Sequence, residues 1–505
     1  MTAVPARDGA WSRRKVLSLG GRLLVGGAAA GVVGTATGCS PAPDNGHRFV
    51  TRPDLHPPKL RISTPARGTG PGRIILGAMV PRPEQAEDVP QPGRLIADDR
   101  GEPVWFAPDP PGTVSMDLKV QQYRGEPVLT WWNGEMIAPP GYGEGQWYIA
   151  DRSYRTIATV RTGAGLHADM HDLVITPQDT ALLMSYHEVR TDLGPIGGPP
   201  DGAVLEGVVQ EVDIATGAVL FEWRSLDHVG VVEALEAPPP DPNQPWDYFH
   251  VNSVEPEADG TLLISARNTH AVYKIRKDTG AVVWRLSGKF TDFRMGPGTL
   301  FEWQHDARRR PDGTITVFDN GEAATGEDRS RGLVLRVDEA ARTADLVRED
   351  RRPEAALSPN MANYQLLDNG HAFAGWGGAD GFTEFGPDGS VRLDGKLPED
   401  MASYRTFRMP WTGEPADAPA VTARPGPERT TVVHTSWNGA TEVAAWRVLT
   451  GPDPRSLRPA REAARAGFET RIEVPGRVGH VAVEGLDGTG RVLGTSPVVP
   501  VSQAG

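Results

Sequence analysis

Three histidines carry the chemistry open to this sequence, and they stand in register. His171-Asp172-Leu173-Val174-Ile175 runs into Pro177-Gln178-Asp179; His250-Val251-Asn252-Ser253-Val254 runs into Asp259-Gly260; His305-Asp306-Ala307 runs into Asp312-Gly313. Arg267 closes the second apolar run of the middle unit, in Ser265-Ala266-Arg267-Asn268, and Asn252 lies two residues beyond His250, on the same face of a strand. A cup of imidazoles, amides and a guanidinium binds an oxyanion, because Arg offers a permanent charge in a fork that matches sulfate or phosphate oxygens. Three His can also hold zinc, which activates a water, with Asp172 and Asp306 as carboxylates that orient the rings. A His can itself be the nucleophile of a covalent intermediate. A permanent cation beside a divalent metal is unfavourable unless an anion sits between them, so Arg267 favours oxyanion transfer on His. A single His at a strand end can simply bond the neighbouring backbone; three in register beside an Arg argue against that. Tyr248, Phe249, Trp303 and Trp376 flank the cup and can either contact an aromatic substrate or pack in the core.

A repeat must position these residues. A fourth unit opens at Asn360-Met361-Ala362-Asn363 and turns at Asn369-Gly370, so the units start at 171, 250, 305 and 360. Each predicts four short strands: strand, Asp-Gly-type turn, strand, loop, strand, Thr-Gly-type turn, strand. Four antiparallel strands in each repeat of ~40–55 residues is the signature of a β-propeller. In a propeller the first strand of every blade lines the central channel, so the three histidines should converge at one of its mouths. Weaker units precede, one through Ile74-Ile75-Leu76 and Pro103-Val104-Trp105-Phe106, another through Pro127-Val128-Leu129 and Trp147-Tyr148-Ile149. The expectation is an all-β chain with a six-bladed propeller over 73–413. A Pro-rich tether (40–72) precedes it. A linker (414–428) and a small fibronectin/immunoglobulin-like β-sandwich (429–505) follow. With 59 Gly and 46 Pro among 505 residues, the composition suits such a turn-rich fold. The net charge of −13 argues against nucleic acid as a partner. The single cysteine, Cys39, excludes an intramolecular disulfide and any Cys-rich metal site.

The N-terminus reads as an address. Ser12-Arg13-Arg14-Lys15-Val16-Leu17 precedes a Gly/Ala/Val-rich run that ends Ala36-Thr37-Gly38-Cys39. Residues 1–39 are similar to a twin-arginine export signal closed by a lipobox, with Cys39 as the lipidated residue. That predicts an exported protein held on the outer face of the cell membrane by its lipid alone.

Trp246-Asp247-Tyr248-Phe249-His250-Val251-Asn252-Ser253-Val254, Ile264-Ser265-Ala266-Arg267 and Trp303-Gln304-His305-Asp306 together resemble the arylsulfotransferase (aryl-sulfate sulfotransferase) family. So do Gly375-Trp376-Gly377, Ser403-Tyr404-Arg405, Pro410-Trp411-Thr412-Gly413 and the late Ser436-Trp437-Asn438-Gly439-Ala440-Thr441. The resemblance implies a six-bladed propeller that moves a sulfuryl group from a phenolic sulfate ester to another phenol, with no nucleotide donor and no cofactor. It implies His305 as the sulfated nucleophile, His250 and Arg267 as stabilisers of the sulfuryl oxygens, and His171 as the aid to proton transfer at the phenol. Asn252, Asn268, Tyr248 and Trp303 are expected around the substrate. Two other functions fit the residues alone: a non-catalytic extracytoplasmic binding propeller, and a metal-dependent hydrolase or lyase.

Overall fold

The computed structural model describes residues 45–81, 89–139, 141–321, 329–354 and 356–502; the export signal and Cys39 lie outside them. The chain is all-β, and eight sheets form among the described residues. Six are built alike. Four consecutive strands make each of five meanders, for example Val251–Pro256, Thr261–Ala266, Ala271–Arg276 and Val282–Ser287. The Asp-Gly turns close these hairpins because Gly260 (φ 80°) and Gly313 (φ 83°) take the left-handed backbone they need. The sixth sheet joins the two ends of this region: Ala402–Met409 pairs antiparallel with Arg73–Met79, which continues to Gly93–Ala97 and Pro103–Pro108.

The core lies between successive sheets. One cluster packs Leu182, Met184 and Trp223 against Val254, Leu262 and Ile264, and the next packs Leu263, Val272 and Trp284 against Ile315, Val317 and Leu333. The last interface packs Ile75 and Ile96 against Leu129 and Trp131, so the sheet made from both chain ends also meets the one that follows it. The innermost strands touch in succession: Val114–Tyr123, Leu173–Ile175, Val251–Pro256, His305–Arg309, Asn363–Leu366, Ala402–Met409, and back to Val114–Tyr123. This is a propeller-like arrangement.

Several innermost strands are bulged where they begin. The pairing register shifts between Met116 and Lys119, between Val251 and Ser253, and between His305 and Arg308. Asp117 (φ 51°), His250 (φ 55°) and Asp306 (φ 56°) occupy the left-handed region there. An L-residue in that conformation costs about 1 kcal/mol, and a bulge re-aims the side chains beside it. The strain is thus concentrated where the strands meet the axis.

Two boundaries need correction. The segment expected as a tether belongs to the fold from Asn45 onward. Arg61–Thr64 adds a fifth strand beside Val391–Lys396, and Glu469 accepts hydrogen bonds from the backbone and hydroxyl of Thr51. The linker expected over 414–428 contains the strand Ala420–Pro425, which pairs with Thr430–Ser436. Both segments are Pro-rich, but Pro is tolerated on sheet edges. The C-terminal strands form two sheets that share a core of Val433, Trp446, Val448, Ile472 and Val483. Asn438 ties them to the sixth sheet, accepting from the backbone N–H of Phe106 at 2.9 Å and donating to its carbonyl at 2.8 Å. No helix among the described residues is long and apolar enough to cross a membrane.

Candidate functional site

His171, His250, His305 and Arg267 line one cavity of about 320 Å³, as the repeat predicts. It opens where the innermost strands begin, and every one of those strands contributes there: Met116, His171, His250, His305, Met361 and Tyr404 line it together. The hairpin of Glu126–Ile137 and Tyr142–Ala150 adds Met136 and Gly141 to the wall. The His171 and His250 rings meet edge to face, with centroids 4.9 Å apart. Tyr404 lies edge-on to His171 at 5.6 Å and to His305 at 6.4 Å.

Each histidine has a different partner on Nδ1. His305 bonds the Asn320 Oδ1 at 2.8 Å and the Trp303 carbonyl at 3.1 Å. The Asn320 amide nitrogen is committed to the carbonyls of Ser358 and Met361, so its oxygen must face His305. Both partners are acceptors, so Nδ1 carries the proton and the neutral ring keeps its lone pair on Nε2. Burial holds His305 well below the usual histidine range, and the nearby Arg267 charge lowers it further. His171 donates Nδ1–H to Asp169 at 2.6 Å. That carboxylate also accepts the backbone N–H groups of His171 and Gly143, so both of its oxygens are engaged. His250 shares a short hydrogen bond with the Asp247 Oδ2, while the Asp247 Oδ1 is buried without a partner.

Arg267 begins a single 3₁₀ turn after Thr261–Ala266. Its guanidinium lies over the Trp303 ring at 4.4 Å and donates to Asn268 Oδ1 at 2.9 Å and to the Pro359 carbonyl at 3.1 Å. Two donors are spent on neutral acceptors, and the full charge remains for the cavity. Tyr404 adds a hydroxyl that is buried with no partner, and burial pushes it well above the usual phenol range, so it stays a donor.

The expected substrate contacts divide differently. Asn252 does not line the cavity: the bulge between Val251 and Ser253 turns it away, and its amide donates to the Gln304 carbonyl at 2.7 Å. Tyr248 is wholly buried in the core and donates to the Val229 carbonyl. Trp376 is likewise a core residue, donating to Thr383. Trp303 and Asn268 hold Arg267 from behind instead of lining the cavity. The apolar wall comes from Met116, Met136, Met170 and Met361. Thioethers are polarisable and adaptable, and they contact aromatic rings favourably.

Asp172 and Asp306 do not back the histidines. They lie among the innermost strands, in a buried network with Lys119, Arg308, Arg405 and Asp117. Asp172 accepts from Lys119 at 2.7 Å, Arg308 at 2.6 Å and Arg405 at 3.2 Å. These cations hold Asp172 well below the usual carboxylate range against its burial. Among the described residues no group of three or more His, Cys, Asp or Glu is placed to hold a metal ion. What the cavity offers is a fixed cation, three imidazoles and the Tyr404 ring facing a soft apolar wall. That suits a small anion joined to an aromatic ring.

One comparison with known proteins shows the family. Residues 119–397, more than half of the chain, match the model described as Arylsulfotransferase (ASST). No curated protein matches the chain. Among solved structures, a Bacteroides caccae protein of unknown function is 13% identical, with 67% of this chain and 100% of that one covered and a TM-score of 0.41. A catalytically inactive virginiamycin B lyase from Staphylococcus aureus, solved with quinupristin, is 10% identical, with 74% and 92% covered and a TM-score of 0.29. Sqt1 of Saccharomyces cerevisiae is 11% identical, with 73% and 79% covered and a TM-score of 0.32. At these scores the structural likenesses carry no argument.

Proposed function

The chain belongs to the arylsulfotransferase family, and on that premise we propose that it moves a sulfuryl group from a phenolic sulfate ester to a phenolic acceptor through a sulfohistidine on His305, with no nucleotide donor. The observation that carries this reading is the bonding of His305. Nδ1 is held as a donor by Asn320 and Trp303, leaving the Nε2 lone pair beside Arg267, His171, His250 and Tyr404 in one cavity. Attack of Nε2 on sulfur expels the phenolate, and a second phenol then takes the sulfuryl group from the ring, so one hard transfer becomes two easier ones. Arg267 and the other imidazoles stabilise the charge on the three non-bridging oxygens. The methionine wall receives the aryl ring. We read the six like-built sheets as the blades of a six-bladed propeller and residues 429–505 as a small sandwich docked on it. The N-terminal sequence supports export and lipid anchoring at Cys39.

The test is transfer itself. Purified protein lacking residues 1–39, given p-nitrophenyl sulfate and phenol, is expected to form phenyl sulfate, with parallel double-reciprocal lines as acceptor is varied. Release of nitrophenol with no sulfated phenol would contradict the reading.

The pH dependence follows from the His305 environment. The neutral ring is the nucleophile, and its pKa is lowered well below 6.5, so the reactive form persists as pH falls through the ordinary histidine range. The rate of the nitrophenol burst should hold at pH 6.5 and fall only at lower pH. An acid limb centred at or above 6.5 would contradict the burial argument.

A further inference from the structure

The reaction needs a place to keep one proton. A phenolate leaving in the first half-reaction takes up a proton, and the acceptor phenol must lose one in the second. We propose, resting on the sulfotransfer reading above, that the buried Asp247–His250 pair stores this proton between the half-reactions, with Asp247 as the positioning residue that acts through His250. This reverses the division of labour implied by the family resemblance, in which His171 served the phenol and His250 the sulfuryl oxygens.

The contrast between the two carboxylate–imidazole pairs carries the inference. Asp169 has both oxygens engaged, by two backbone N–H groups and the His171 ring. That carboxylate leaves no buried oxygen bare. Asp247 is built the other way. One oxygen meets His250 Nδ1, and the other is buried with nothing to bond. A bare carboxylate oxygen away from water is costly when charged and much less so in the neutral acid. The groups facing the pair are His171, Arg267, Asp169 and Tyr186. Burial pushes Asp247 up to about 7, against the pull of His171 and Arg267. Burial, with His171 and Arg267, holds His250 well below the usual histidine range. The bare Asp247 oxygen, and the burial that disfavours charge on either group, favour the proton on Asp247, with His250 neutral and its own proton on Nε2. Asn268 fixes the strand, donating to the Asp247 carbonyl at 2.5 Å.

The cycle balances. In the first half-reaction His305 Nε2 bonds to sulfur and the sulfur–oxygen bond to the aryl group breaks. The aryl oxygen keeps the electron pair and takes the Nε2 proton of His250. The Asp247 proton passes to His250 Nδ1, leaving Asp247 a carboxylate and His250 neutral with a free lone pair on Nε2. In the second half-reaction the acceptor phenol gives its proton to that Nε2, the Nδ1 proton returns to Asp247, and the phenol oxygen takes sulfur from His305. No proton enters or leaves the site.

Two measurements test this. The first uses the wild-type protein. Phenyl sulfate is mixed rapidly with it in weakly buffered indicator solution about one pH unit below the Asp247 value, with no acceptor, and sulfo-enzyme and proton uptake are followed together through the first turnover only. The proposal expects sulfo-enzyme and neutral phenol with almost no proton taken from solution. One proton taken up per sulfo-enzyme would overturn it. No sulfo-enzyme at all would sink the sulfotransfer reading, and the proposal with it. The second compares donors in Asp247→Asn, which keeps a hydrogen bond to His250 but cannot release a proton. Phenyl sulfate, whose phenolate needs a proton to leave, should slow far more than p-nitrophenyl sulfate, whose phenolate does not. The ratio of the two rates should grow by about 100-fold or more, as loss of a general acid predicts. Equal slowing of both donors, or of neither, would overturn the proposal.

Discussion

Replacing His305 with alanine is expected to lower kcat for transfer from p-nitrophenyl sulfate to phenol by on the order of 10⁴-fold or more, the scale on which removal of a nucleophile acts. The size of the effect follows from the covalent step. Arg267, His171, His250 and Tyr404 would still bind the sulfate ester, so KM should change far less than kcat. Without Nε2 the sulfuryl group has no resting place, and transfer would require donor and acceptor to be bound in line together in a cavity of about 320 Å³. Steady-state rates over several acceptors check this. A loss of only a few fold would mean that His305 is not the nucleophile. The substitution should leave the fold intact, because the ring lines the cavity at the start of its strand and its removal frees two acceptors beside that cavity, the Asn320 Oδ1 and the Trp303 carbonyl, which water can then reach.

Replacing Arg405 with alanine is expected to act on stability instead, costing roughly 3–5 kcal/mol, the range for removing one partner from a buried charge network. Arg405 is wholly buried. It donates to Asp117 at 3.1 Å, to Asp172 at 3.2 Å and to the Asn252 carbonyl at 2.9 Å, and lies 3.7 Å from Asp306. Without it, three buried aspartates are left to Lys119 and Arg308. Arg405 also sits on the strand that joins the two chain ends into one sheet, so the penalty falls on closure of the whole array. Urea unfolding should show a lower midpoint with an unchanged slope. A change below about 1 kcal/mol would mean that water or neighbouring groups replace the guanidinium.

Much of the site was legible because it repeats. His171, His250 and His305 hold the same slot in three units, and that slot alone predicted their convergence. The structure brings Met116, Met361 and Tyr404, near the starts of the other innermost strands, to the same cavity. Met361 stood in the fourth unit but carried no role, since a methionine in an apolar pattern announces nothing. Tyr404 was harder to place, because its sheet is assembled from both ends of the chain and no continuous stretch shows its repeat. The groups that set the protonation of each histidine have no common offset. Asp169 lies two residues from His171, Asp247 three from His250, and Asn320 fifteen from His305. No periodicity argument reaches them. Asn252 failed for a different reason: alternation along a regular strand places it with His250, and a bulge breaks that alternation just there. Within 45–72 and 414–428 the structure forms edge strands, because Pro-rich sequence marks an edge strand as readily as a linker.

The central claim is a covalent sulfuryl group on His305, and the most direct measurement is to look for it. Wild-type protein lacking residues 1–39 would be mixed briefly with p-nitrophenyl sulfate without acceptor, quenched in base, and mapped by peptide mass spectrometry. The account predicts a gain of about 80 Da, one sulfuryl group, confined to the peptide that carries His305 and discharged when phenol is added before the quench. An adduct on another residue, or nitrophenol released in turnover with no adduct on any peptide, would contradict it.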